Sequence, residues 1–168
     1  LTNATYTFTS EKITFYEDDN KDIQMNVGNY IYQEDIKRIS ENEYLKIDVI
    51  QKVVNYSIET YEVKFTNRSN YTVVISDGAE NDEIMLVLPN ETRKSAVISE
   101  VVLGPQESTT MNFTFSKFVD DGDVSQSLVF SSIRVMEKYS GVGDNIDDAI
   151  IKSEIDNSIS KFSMEVKI

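Results

Sequence analysis

The sequence predicts an all-β fold, an antiparallel sandwich of about 8–9 strands with one short helical segment near 145–157. Three observations carry this. Apolar side chains alternate with polar ones at period two in segment after segment, and turn residues recur at intervals of roughly 8 to 15 residues. The third is the near absence of helical periodicity. A chain of 168 residues suits one domain, 1–168, with a core large enough to hold it without staples.

Taken in order, Tyr6 and Phe8 are out of phase with Ile13 and Phe15, which predicts a first strand that breaks or changes sheet around residues 10–12. A short helical turn is expected near residues 33–39. Leu45, Ile47 and Val49 open a strand that continues toward Val54. Tyr61, Val63 and Phe65 alternate with Glu62 and Lys64, and Thr66-Asn67-Arg68-Ser69-Asn70 tolerates turn conformations, so residues 59–66 and 71–76 read as a hairpin closed by Asp77-Gly78. Ile84 to Leu88 is an apolar run stopped by Pro89, and Val97 to Leu103 behaves similarly before Gly104-Pro105; both fit strands covered on two faces.

Met111, Phe113 and Phe115 share one face of the next strand. Leu128 and Phe130 are out of phase with Ile133 and Val135, which a bulge at Ser131-Ser132 would correct. Ile151, Ile155 and Ile159 repeat at helical spacing after an Asp144 cap. Phe162, Met164, Val166 and Ile168 then define a half-buried closing strand.

The segment from Tyr61 to Ser69, then Val73-Val74-Ile75-Ser76-Asp77-Gly78, then Leu103-Gly104-Pro105-Gln106-Glu107-Ser108 ahead of Phe113-Thr114-Phe115, resembles immunoglobulin-like domains of Gram-positive extracytoplasmic lipoproteins. There a strand leads into an asparagine turn, and a later Leu-x-Pro-x-Glu turn precedes the next strand. The likeness covers roughly residues 59–115. It implies an immunoglobulin-like sandwich outside the membrane and brings no catalytic residue. The Gly usual after Pro in that turn is Gln106 here.

Composition removes much chemistry. The chain has no His, no Cys and no Trp, so imidazole bases, thiolate nucleophiles, the usual nitrogen and sulfur metal ligands and disulfides are all excluded. A net charge of −13 repels nucleic acid and anionic lipid, and the adjacent basic pairs Lys37-Arg38 and Arg93-Lys94 make no patch. No nucleic acid is expected as a partner. The chain begins at Leu1 with no signal-peptide pattern, which is expected of a product truncated at its N-terminus. No stretch approaches the roughly 20 apolar residues of a membrane helix, so a membrane contact would run through an anchor outside this sequence. Asn3, Asn55, Asn67, Asn70, Asn90 and Asn112 head Asn-x-Ser/Thr sequons, through glycosylation or merely because turn asparagines adjoin threonine-rich strands.

Carboxylates are the abundant functional groups left. Asp120, Asp121 and Asp123 form a compact turn able to offer calcium two or three oxygens, as do Asp144, Asp147 and Asp148; Asp18 to Asp22 begins like a calcium loop but has Ile23 where that loop needs Gly. A solvated acidic turn that keeps strand edges apart is the plainer reading of each. Tyr30 and Tyr32 share a face if their segment is a strand, giving a stacking platform for sugar or peptide or simply a rim to the core. An intramolecular Lys–Asn crosslink would suit a chain without cysteine, and the sequence singles out no pair. No catalytic residue and no cofactor beyond calcium is expected. The function expected is a non-enzymatic extracytoplasmic module of a bacterial surface protein that binds a protein or cell-wall ligand or acts as a spacer. A calcium- or carbohydrate-binding module is the alternative, and a carboxylate-dependent glycoside hydrolase the third.

Overall fold

A computed structural model describes the backbone of residues 4–16, 22–55, 58–75, 84–88, 93–96, 100–116, 126–141 and 147–168, with side chains from residue 33 onward. Its elements are β1 Ala4–Tyr16, β2 Asp22–Glu41, β3 Leu45–Val54, β4 Ile58–Asn67, β5 Thr72–Ile75, β6 Ile84–Val87, β7 Arg93–Ala96, β8 Val101–Leu103, β9 Ser108–Ser116, β10 Ser127–Met136, α1 Asp148–Asp156 and β11 Ser160–Lys167. All strand pairs are antiparallel. The result is the all-β sandwich that the alternation predicts.

One sheet runs β1-β2-β3-β4-β9, and the other contains the remaining six strands. In the second sheet β11 takes one edge of β10, while β6 and β5 share the opposite edge end to end. β7 and β8 extend that arrangement outward in the same way, β7 on β6 and β8 on β5. Six strands therefore occupy four lines. The break between β5 and β6 lies opposite the register shift in β10 between Phe130 and Ile133, so the bulge expected at Ser131-Ser132 is present.

Alternation decides which side chains enter the core. Tyr61, Val63 and Phe65 of β4, Phe113 and Phe115 of β9, and Leu128, Phe130, Ile133 and Val135 of β10 are buried. Phe65, Phe113 and Phe130 meet edge to face at centroid distances of 5.4 to 6.0 Å, joining the two sheets at the centre. Truncating a buried Phe of this kind typically costs about 3–5 kcal/mol.

The hairpin expected from residues 59–66 and 71–76 does not form. β4 belongs to the first sheet and β5 to the second, so residues 68–71 cross between layers. Asn67 explains the crossing. Its side chain is fully buried, and its Nδ2 donates to the carbonyls of Tyr71 (2.7 Å), Gly104 (2.8 Å) and Leu103 (3.2 Å). Its Oδ1 accepts from the Ser69 N–H and hydroxyl. The return crossing from β8 to β9 is held against the same corner, since the Asn67 N–H donates to Glu107 O and the Gln106 N–H to Ser69 O. One amide thus satisfies backbone groups of both crossings that would otherwise be buried without partners.

Three further expectations fail for related reasons. Residues 33–39 are strand, because a bulge between Asp35 and Arg38, with Lys37 at φ 51°, mimics helical spacing by turning Ile36 inward. β1 pairs with β2 without a break from Ala4 to Tyr16, so the phase change at residues 10–12 is carried by an unbroken strand. The helix cap is Asp147 rather than Asp144: its carboxylate accepts from the Ala149 N–H, and α1 ends at Asp156 before reaching Ile159. In the stretch expected as one strand, 97–103, only 101–103 is described as strand, and β7 before it went unforeseen. The closing strand is as expected, with Met164 and Val166 buried and Phe162 and Ile168 packed on the core.

Candidate functional site

At the end of the first sheet away from the Asn67 corner, polar groups enter the apolar interior. The cause is local. β3 sends Leu45, Ile47 and Val49 inward, and a register shift between Val49 and Gln51 then changes the phase, so that Lys52 and Val54 share the inner face with Tyr61 and Glu59 opposite them. Glu59 is 2% exposed.

Four side chains meet there. Lys52 Nζ lies 3.3 Å from Glu59 Oε2 and 5.5 Å from the centre of the Tyr61 ring. The Tyr61 hydroxyl is 2.7 Å from Gln126 Oε1 and 3.3 Å from Glu59 Oε2; its single proton serves the shorter contact best. Gln126, the residue before β10, is itself buried, so the cluster reaches from the first sheet to the second. Glu59 Oε1 is buried with no hydrogen-bond partner. A carboxylate in this setting costs several kcal/mol to desolvate, which the lysine only partly offsets, and retaining it calls for an explanation beyond packing.

Tyr30 and Tyr32 lie two apart on β2 and share a sheet face, with Phe8 and Tyr6 at the register positions opposite them on β1. Tyr32 is also opposite Val54, and Val54 opposite Glu59, so the tyrosine positions continue the face on which the polar cluster stands. Asp120, Asp121 and Asp123 lie outside the described residues, as do Asp144 and residues 17–21. Asp147 is committed to capping α1. Among the described residues no group of three or more acidic side chains is placed to hold a metal ion.

A second polar feature lies beside α1, an open groove of about 400 Å³ lined by Glu137, Lys138, Ser153, Glu154, Asn157 and Ile159. Glu154 already has partners, since its two oxygens accept from the Ser140 hydroxyl (2.7 Å) and N–H (2.6 Å). The Ser140 hydroxyl bond, then the N–H bond and the charge of Lys138, hold its carboxyl below the usual range against some desolvation. That geometry ties β10's exit to the helix and leaves the carboxylate occupied.

Half of the Lys52 cluster was visible in the pattern. Glu59 falls in phase with Tyr61, Val63 and Phe65, a carboxylate on an apolar face, which is a signal of burial. Lys52 was hidden by the bulge, and Gln126 carries no local mark. Set against protein-family models, curated proteins and solved structures, the chain matches none.

Proposed function

We propose that the protein is a non-enzymatic recognition module of a bacterial surface, docking a protein or cell-wall ligand on the aromatic positions of its first two strands. The observation that carries this is the length of the β1–β2 ribbon. β3 accompanies β2 only from Tyr32 to Glu41, so from Thr7 to Tyr16 and from Asp22 to Ile31 the two strands pair with no other strand among the described residues. That is about 30 Å of two-stranded ribbon at 3.3–3.4 Å per residue. Such a ribbon is marginal by itself and gains stability from a partner.

Its composition fits recognition. Phe8 and Tyr30 stand opposite one another, next to Tyr6 and Tyr32, with Phe15, Ile13, Ile23 and Met25 on the alternate face. Aromatic rings supply contact area at low entropic cost and suit both peptide and sugar. The lipoprotein resemblance supports a location outside the membrane.

Co-sedimentation with purified Gram-positive sacculi, and with the same sacculi stripped of protein, tests the proposal. The expected result is binding that falls at least tenfold in a Tyr30→Ala/Tyr32→Ala variant whose melting temperature matches the parent. Undiminished binding by that variant removes the tyrosine face from the proposal; no sedimentation of the parent with either preparation removes the cell-wall and wall-protein ligands.

A further inference from the structure

We propose that Lys52 and Gln126 join through an intramolecular amide bond, with Glu59 as proton carrier and Tyr61 polarising the glutamine carbonyl. The four groups needed for such a step are present together. Lys52 supplies the amine, and Glu59 Oε2, 3.3 Å from Nζ, is placed to take its proton. The Tyr61 hydroxyl, 2.7 Å from Gln126 Oε1, is a hydrogen-bond donor aimed at the oxygen on which charge develops when the carbonyl carbon is attacked.

The balance closes without a co-reactant. Neutral Nζ attacks Gln126 Cδ and the Nζ–Cδ bond forms. The adduct collapses with loss of the Cδ–Nε2 bond as Glu59 passes the first Nζ proton to the departing nitrogen; Glu59 then takes the second proton that Nζ sheds and yields it to the released ammonia, which departs as ammonium. Glu59 ends as it began. Its second oxygen, Oε1, has no hydrogen-bond partner to hold the carboxylate in place during the relay, and Glu59, Tyr61 and Gln126 are all buried, so the amide carbonyl is shielded from water. Lys52 Nζ sits 5.5 Å from the centre of the Tyr61 ring, whose hydroxyl holds Gln126, so Tyr61 links amine and amide, and Nζ must leave Glu59 to reach Cδ.

The position gives the bond a purpose. Lys52 lies on β3 in the first sheet and Gln126 immediately precedes β10 of the second, so the amide would tie the layers covalently at the end opposite the Asn67 corner, in a chain with no cysteine to do so. It also accounts for a buried carboxylate whose desolvation the fold otherwise sustains for little return.

Intact-mass measurement of the folded protein, followed by peptide mapping, decides the matter. The expected wild-type mass is lower than that of the sequence by one ammonia, with a branched peptide containing both Lys52 and Gln126. Lys52→Arg, which keeps the cation, and Glu59→Gln should both return the uncrosslinked mass while remaining folded by circular dichroism. A folded wild-type protein at the full sequence mass after prolonged incubation at neutral pH overturns the proposal. So does an ammonia loss that maps to another residue.

Discussion

Gln106 sits at φ 60°, a left-handed conformation that costs a residue with a Cβ about 1 kcal/mol and costs glycine almost nothing. It keeps that place through its side chain, whose amide donates to the carbonyls of Arg68 and Ser69 at 3.1 Å each across the Asn67 corner. The two effects can be separated. Gln106→Ala keeps the strain and loses the bonds, so it should destabilise by about 1 kcal/mol, whereas Gln106→Gly exchanges one for the other and should stay within about 0.5 kcal/mol of the parent in urea denaturation. Equal losses in the two variants would mean that the backbone is unstrained there. The departure from glycine was legible in the sequence, but its compensation was not, because Arg68 and Ser69 come from a turn 37 or 38 residues away.

At the scale of elements, period-two alternation located most of the strands that build the core. It failed where a bulge shifts phase: the bulge in β2 imitates a helical turn, and the one in β3 conceals Lys52 among outward positions. It also could not tell a hairpin from a crossing between sheets, since turn residues look alike in both and Asn67's partners are distant in sequence. The helix offers a pH test. The Glu154 carboxyl is held below its usual range in the folded protein, so its contribution is full above the unfolded value and is lost as pH falls through the lower folded value. Ser140→Ala should therefore raise the Glu154 pKa toward that of a free glutamate in an NMR titration. The stability gap between parent and variant, present at neutral pH, should shrink as pH drops below about 4.3. A Glu154 titration unchanged by the substitution would remove Ser140 as the cause.

On the scale of the whole molecule, the net charge of −13 opposes compaction, and the described ion pairs that involve exposed groups, such as Arg68 with Glu41 at 3.1 Å, offset little of it. Raising sodium chloride from about 10 mM to about 150 mM shortens the screening length from about 30 Å to about 8 Å. The melting temperature should rise by about 3 °C, equivalent to about 1 kcal/mol for a domain of this size. A fall would mean that attractive pairs outweigh the repulsion. The sandwich itself was legible because each strand writes its own burial into its own alternation. The cluster of Lys52, Glu59, Tyr61 and Gln126 was only partly so, because it exists where three strands and two sheets converge. The Asn67 corner carries a consequence for biosynthesis. Asn67-Arg68-Ser69 is also an acceptor sequence for N-linked sugar, and enzymes that attach it act on the same Nδ2 that three backbone carbonyls need. A host that modifies nascent chains at this asparagine would commit the protein to misfolding before its sheets could close, whereas a host without that machinery leaves the amide free for the fold.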